Sequence, residues 1–147
     1  RVLFRSKASH GHIDDVRNFI YGHRKELDSI EIVCTDPKKR ADIKQLVREN
    51  TDGFYITSSS ENFIEFMNES ATKGCAVERL CSHLEISLQN TCACGNADND
   101  ADMIEQAGIG AAVENASKLC LDCADIIVPS NNSDGVARLI EIILTDR

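Results

Sequence analysis

The sequence predicts an α/β protein made of two parts. From Thr72 to Leu144, short apolar segments typical of strands alternate three times with segments of helical periodicity. Because strands and helices that alternate through short links form parallel sheets with right-handed crossovers, this part is predicted to be Rossmann-like. Before it, Ser29 to Met67 has the order strand, helix, strand, strand, which predicts a small α+β unit. We place the two parts at residues 1–70 and 71–147.

In the first part, Ile30, Ile32 and Cys34 alternate with other residues, and this period of two indicates the first strand. Asp36 is a favourable N-cap and Pro37 a favourable first residue for the helix that follows to about Arg48. Besides the helix capped by Asp36, this part is predicted to have a helix around Ile13 to Glu26, the first strand at Ser29 to Thr35, and two later strands at Phe54 to Ser58 and Asn62 to Met67.

In the second part, acidic residues open the predicted helix Ala97 to Gln106, where they suit the positive end of the helix dipole. Asn115 is the expected cap of the predicted helix Ala116 to Cys123. Ser133 or Asp134 is the expected cap of the final helix. The predicted helices are Thr72 to Leu84, Ala97 to Gln106, Ala116 to Cys123 and a final one ending near Leu144. The predicted strands are Thr91 to Gly95, Ile109 to Val113 and Ile126 to Pro129.

The composition limits the classes of partner. The 147 residues include 24 acidic and 16 basic side chains, for a formal net charge of -8, and no tryptophan. Nucleic acids and membrane surfaces are themselves anionic, so we expect this chain to bind neither. No run of 18 apolar residues is present, and the sequence therefore predicts no membrane-spanning segment.

Seven cysteines cannot all pair within the chain. Four of them, Cys34, Cys75, Cys81 and Cys120, lie in apolar runs, which is typical of reduced core residues in a cytoplasmic protein. The alternative is a zinc site built from two close pairs, Cys92 with Cys94 and Cys120 with Cys123. A redox pair at the second of these is disfavoured by Asp122, because a negative neighbour opposes thiolate formation.

Polar loops that follow parallel strands are the candidate binding site, since ligands bind beyond the carboxyl ends of such strands. The loop Asn96 to Asp100 is rich in carboxylate and amide oxygens, which suit a hard cation such as Mg²⁺. A solvated N-cap cluster would give the same composition. Lys73, beside Gly74 at a predicted helix start, can offer a positive charge to a phosphate, although a lone Lys-Gly pair is more often just a surface helix start. A third polar loop runs from Pro129 to Val136, and loops at one sheet edge converge.

Residues 73 to 144 resemble the C-terminal part of the haloacid dehalogenase (HAD) superfamily, in its Cof-like sugar-phosphatase group. The α+β unit before them resembles the closing half of this group's cap domain, inserted between two parts of the core. The resemblance is carried by an ordered set of motifs: Lys73-Gly74-x-Ala76, Gly95-x-x-x-Asn99-Asp100, Met103-Ile104, Ala107-Gly108, Asn115-Ala116, Ala124-Asp125, Asn131 and Asp134-Gly135-Val136.

The resemblance implies hydrolysis of a small phosphorylated metabolite, such as a sugar phosphate, through an aspartyl-phosphate intermediate with Mg²⁺. It implies that Lys73 binds the phosphate, that Asn99 contacts the phosphate or orders its loop, and that Asn131 binds phosphate or substrate. Asp100 matches the acidic residue that supports the metal site. Asn96 stands where the family has the carboxylate that binds the metal directly.

Two departures from the family pattern shape our expectations. No Asp-x-Asp-Gly-Thr-like sequence, which holds the family's nucleophile, occurs in this chain, so we expect the chain alone to be inactive. The amide of Asn96 carries no charge, so we expect weaker Mg²⁺ binding unless Asp98 or Asp100 substitutes. Both departures leave open a non-catalytic binding or regulatory module with the same fold. An incomplete sheet would also expose an edge, which favours self-association.

Overall fold

The computed structural model describes residues 4–5, 10–11 and 13–145. It divides into two compact units, Arg1–Ser70 and Ala71–Arg147. In the described residues, no helix is both long and apolar enough to cross a membrane.

The first unit has an antiparallel sheet. Its elements are β1 (Phe4–Arg5), β2 (His10–Gly11), α1 (Val16–His23), β3 (Ser29–Val33), α2 (Pro37–Asn50), β4 (Phe54–Thr57) and β5 (Phe63–Asn68). Strands β1 and β2, of two residues each, form a separate antiparallel pair, and the sheet has the strand order β3-β5-β4.

The central strand β5 carries the core of this unit. Its Ile64 and Phe66 are buried, and in register they lie opposite Ile32 and Ile30 of β3. Asp36 caps α2 as the sequence predicts, because its carboxylate accepts the backbone N–H groups of the second and third helical residues. The predicted order of strand, helix, strand, strand is therefore confirmed.

The second unit has a parallel sheet. Its elements are α3 (Lys73–Leu84), β6 (Cys92–Gly95), α4 (Ala101–Gln106), β7 (Ile109–Val113), α5 (Lys118–Cys123), β8 (Ile126–Val128) and α6 (Gly135–Thr145). The strand order is β6-β7-β8. Helices separate the strands in sequence, which confirms the predicted α/β architecture.

The middle strand β7 separates two apolar clusters. Ala111 packs in one of them with Val128 and Leu139, and Ala112 packs in the other with Ile104 and Cys120. Successive residues of a strand face opposite sides of the sheet, so β7 is buried on both faces. A strand of this kind lies at the centre of the unit and positions the loops at its end.

Three predicted helix starts differ from the observed ones by more than one residue. The helix expected from about Ile13 begins at Val16. The predicted Ala97–Gln106 helix begins with a 3-10 turn at Asp98–Asp100, and the α-helix starts at Ala101. The cap of α5 is Ser117 rather than Asn115, because the Ser117 hydroxyl accepts the N–H of Cys120. The side chain of Asn115 bonds elsewhere, to Asn131.

The cysteines do not form the alternative zinc site. All seven are free, and the described residues contain no group of three or more His, Cys, Asp or Glu that could hold a metal ion. Of the four predicted core thiols, Cys81 and Cys120 are buried, while Cys34 and Cys75 are partly exposed. The hypothesis of a zinc centre at Cys92, Cys94, Cys120 and Cys123 is therefore wrong.

Candidate active site

The second unit brings three polar loops to one edge of its sheet. Because β6, β7 and β8 are parallel, the segments that follow them, residues 96–100, 114–117 and 129–134, all leave from the carboxyl edge. This is the edge at which open α/β sheets bind ligands. The predicted site residues of the second unit lie in these segments, apart from Lys73 at the start of α3.

Asp100 organises the loop that follows β6. One of its carboxylate oxygens, Oδ2, accepts the backbone N–H groups of Asn96 at 2.9 Å and of Ala97 at 3.1 Å. Its own N–H donates to the Ala97 carbonyl at 2.8 Å. A Cβ atom at Gly95 would lie 2.8 Å from the Asp100 Cγ, so only glycine leaves room for this side chain.

Lys73 reaches this loop from a different element. Its ammonium donates a hydrogen bond to the second carboxylate oxygen of Asp100, Oδ1, and forms an ion pair with it. Half of the Lys73 side chain is exposed, whereas Asp100 is buried. An ammonium has three N–H donors, and Asp100 takes one of them. Lys73 is thus a fixed cation with donors left for a further acceptor.

The electrostatics of this pair keep Asp100 ionised. Burial by itself would raise the pKa of Asp100, but the hydrogen bond from Lys73 and the N–H groups of Asn96 and Ala97 lower it below its usual value. The same negative charge acts on a neighbouring thiol. Burial, followed by the charge of Asp100, raises the pKa of Cys120 to about 11, and this thiol stays protonated near neutral pH.

Gly74 allows a close contact between two helices. Its N–H donates to Asp102 Oδ2 at 3.0 Å, and a Cβ at this position would lie 2.6 Å from that oxygen and 2.8 Å from Nε2 of Gln106. Glycine therefore lets α3 lie close against α4. Together with Thr72, which caps α3 through the N–H of Cys75, this contact fixes the helix start that carries Lys73.

The start of α5 holds the same loop from its other side. The N–H of Ser117 donates to the Asn96 carbonyl at 2.9 Å, and the thiol of Cys120 donates to the Ala97 carbonyl at 3.4 Å. Asp100 accepts the N–H groups of Asn96 and Ala97, so both the N–H and the C=O groups of these two residues are hydrogen-bonded. The backbone of the predicted metal loop is therefore fixed in the folded protein.

Asn131 is joined to the loop after β7. The Nδ2 group of Asn115 donates to Asn131 Oδ1 at 2.8 Å, and the Asn131 N–H donates to Asn115 Oδ1 at 3.3 Å. Asn115 lies two residues before Ser117, which bonds to the loop after β6. A chain of contacts therefore connects all three loops.

The remaining predicted ligands are in the loop but keep free side chains. Within the described part of the chain, no hydrogen bond involves the side chains of Asn96, Asp98 or Asn99. Both oxygens of Asp100, in contrast, have partners. A metal at this loop would find the amide oxygens of Asn96 and Asn99 and the free carboxylate of Asp98, a donor set that fits Mg²⁺, which retains several waters and uses one or two carboxylates.

Sequence reasoning missed four residues that build this site. Thr72 and Ser117 cap the two helices beside the loop. The signal in the sequence was a hydroxyl residue just before each helix, which can accept the N–H of the residue three positions later. Asp102 and Cys120 contact residues 28 and 23 positions away, and no local pattern marks such contacts.

Comparison with known proteins identifies the family. The sequence model of the haloacid dehalogenase-like hydrolases matches residues 3–140. The chain belongs to this family of hydrolases. The predicted family resemblance is thereby confirmed over nearly the whole sequence, in both units.

Individual HAD-like proteins agree with this assignment. A Haemophilus influenzae protein is 36% identical over 88% of this chain and 55% of its own length. Phosphatase YwpJ of Bacillus subtilis is 35% identical over 65% of this chain and 34% of its own. A haloacid dehalogenase-like hydrolase structure from B. subtilis has a TM-score of 0.73 and 31% identity, over 78% of this chain and 40% of that one. The chain thus spans about half the length of such relatives or less.

Proposed function

We propose that the complete gene product containing this HAD-like chain is a Cof-like phosphatase. It hydrolyses a phosphate monoester of a small metabolite, such as a sugar phosphate. The observation that carries the proposal is the fixed Lys73 cation beside the loop after β6, at the sheet edge where such folds bind ligands. The named activity of phosphatase YwpJ supports the same reaction.

In this proposal, the residues of the second unit bind and orient the phosphate. Lys73 donates its remaining N–H groups to phosphate oxygens, and Asn99 and Asn131 supply neutral donors. Asp100 keeps Lys73 and the loop in place, which limits the reorganisation needed when charge develops on the transferring group. Residues 1–70 are assigned to the cap, which selects the leaving group.

We further propose that Asn96 and Asp98 hold Mg²⁺ and that Asp100 supports this site through the loop. When bound, the ion neutralises negative charge on the phosphate. Asp100 contributes indirectly, because its two oxygens are occupied by Lys73 and by backbone N–H groups.

We propose that this chain by itself does not turn over, since it contains no Asp-x-Asp-Gly-Thr-like nucleophile motif. The test compares this chain with the complete gene product on a panel of phosphate monoesters and an aryl phosphate, with Mg²⁺. We expect turnover by the gene product alone. Turnover by this chain that disappears in Lys73→Ala would overturn the claim of inactivity.

A matched pair of lysine variants tests the assignment of the site. In the complete gene product, Lys73→Ala is expected to lower kcat/KM about 100-fold, because a fixed donor to the transferring group is lost. Lys118→Ala removes an equal charge from an exposed ion pair with Asp122 and is expected to leave activity unchanged. Equal effects of the two variants, or no hydrolysis of any monoester by the unaltered protein, would overturn the proposed function.

A second candidate function is a non-catalytic HAD-like binding or regulatory module, favoured by the neutral Asn96 at the family's metal carboxylate. Asn96→Asp in the gene product distinguishes the two. For an enzyme, we expect Mg²⁺ to bind about tenfold more tightly, with turnover retained. A gene product that binds phosphate monoesters without hydrolysing them, before and after this substitution, would support the binding module.

We also propose a cytoplasmic location, because free cysteines, of which this chain has seven, are typical of that compartment.

We further propose that the chain self-associates through the sheet of the second unit. In the described residues, the outer edges of β6 and β8 have no partner strand. Unpaired strand edges bind other strands readily. Light scattering after size-exclusion chromatography would show a dimer, and a monomer at all concentrations would contradict it.

A further inference from the structure

The reciprocal bonds between Asn115 and Asn131 fix the orientation of both side-chain amides. The backbone N–H of Asn131 can only donate, so the atom that faces it must be the Asn115 oxygen, at 3.3 Å. The Asn115 NH2 group therefore occupies the other position and needs an acceptor, which is Asn131 Oδ1 at 2.8 Å. Reversal of either amide would bring donors face to face, or acceptors face to face, and lose a hydrogen bond.

This orientation determines what Asn131 offers to a ligand. Its oxygen is occupied by Asn115, while its NH2 group donates no hydrogen bond to any of the described residues. Both asparagines are exposed, and they lie at the carboxyl edge of the parallel sheet, where the chain of contacts connects them to the Asn96–Asp100 loop. Asn131 therefore presents a free NH2 group at that edge, and this donor suits an anion.

We propose that Asn115 is a positioning residue, which holds the Asn131 amide with its NH2 group free to donate to a phosphate oxygen. This inference rests on the proposed function in naming the phosphate, whereas the orientation of the amides does not depend on it. The Asn115 side chain acts through Asn131 and needs no contact with the substrate.

Three substitutions separate orientation from charge. Asn115→Asp has almost the same shape and still accepts the Asn131 N–H, but it cannot donate, so the Asn131 amide turns over and its NH2 is consumed. Asn131→Asp keeps the bond from Asn115 and presents an oxygen where the NH2 was. Asn132→Asp is the control, because it adds an equal charge at the adjacent exposed position, outside the pair.

The first measurement is a titration of this isotope-labelled chain with inorganic phosphate, followed by NMR of the side-chain NH2 groups. We expect the Asn131 NH2 signals to move and those of Asn115 to stay. We expect Asn115→Asp and Asn131→Asp to weaken phosphate binding at least tenfold and Asn132→Asp about twofold, as screened surface charges have small effects. Equal weakening by Asn115→Asp and Asn132→Asp, or unmoved Asn131 signals, would overturn the proposal.

The second measurement uses the complete gene product and separates KM from kcat. A positioning role for phosphate binding predicts that Asn115→Asp raises KM for a phosphate monoester with little change in kcat. A fall in kcat with unchanged KM would contradict it. If the gene product hydrolyses no monoester while the NMR result holds, the proposed function fails and the role of Asn115 in anion binding stands.

Discussion

Lys73 and Asp100 form an ion pair that joins the start of α3 to the loop after β6. The two residues are 27 positions apart in the sequence. Through its other oxygen, Asp100 binds the backbone of Asn96 and Ala97, so one buried carboxylate fixes both the cation and the loop. The arrangement of the candidate site therefore depends on Asp100 more than on any residue proposed to touch a ligand.

Asp100→Ala is expected to destabilise the chain by about 3 kcal/mol, because two partly buried N–H groups lose an ionised acceptor. Asp100→Asn keeps an acceptor for them but places an NH2 group against Lys73, and we expect a loss of about 1–2 kcal/mol. Urea unfolding would measure both. Asp122→Ala, which breaks an exposed ion pair, is the control, with a loss of about 0.5 kcal/mol or less. Similar losses in all three variants would contradict the role of Asp100.

Stability should fall in acid partly through Asp100. Its pKa in the folded chain lies below the ordinary value of 3.8, so between the two values the unfolded chain binds more protons. The contribution of the ionised carboxylate is therefore complete above about pH 5 and is lost as the pH falls through the folded pKa. The urea midpoint of the unaltered chain should fall more steeply below about pH 4 than that of Asp100→Asn. Equal decreases in the urea midpoints of the two proteins over this pH range would contradict the role of Asp100.

Gly74→Ala is expected to destabilise the chain by about 1–3 kcal/mol, because the added Cβ meets Asp102 and Gln106 of α4. Gly22→Ala is the matched control. In α1, a Cβ at Gly22 meets no atom within 4 Å, and alanine favours the helix by about 0.5–1 kcal/mol. Thermal unfolding should therefore move in opposite directions for the two variants, and a shift of the same sign in both would contradict the close approach of α3 and α4.

The cysteines should differ in their reaction with an alkylating reagent at pH 8. Cys120 is fully buried and burial raises its pKa to about 11, so it should remain unmodified while the chain is folded. Cys92 is exposed and should react first, even though burial of its sulfur and the neighbouring Cys94 raise its pKa. Mass spectrometry of peptides, before and after unfolding in urea, would show the order. Early modification of Cys120 would contradict the packing of α5 against the loop.

Regular local patterns account for the part of the fold that was predicted correctly. The alternation around β3 and the cap and proline at Asp36–Pro37 act over a few residues, so the sequence specifies these elements directly. The parallel sheet followed from the alternation of strands and helices. The incorrect cap at Asn115 shows the limit, since Ser117 and Asn115 are both good caps and Asn131, 16 positions away, takes the side chain of Asn115.

The sequence by itself determined the order of the elements, the polar residues after each parallel strand and the HAD-like family. The tertiary structure alone decided which partner each of these residues has: Asp102 for Gly74, Asp100 for Lys73 and Asn115 for Asn131. The reason is physical. Periodicity and capping arise from neighbours within one or two turns of chain, whereas a hydrogen bond across 16 to 28 residues exists only once the helices and strands have packed.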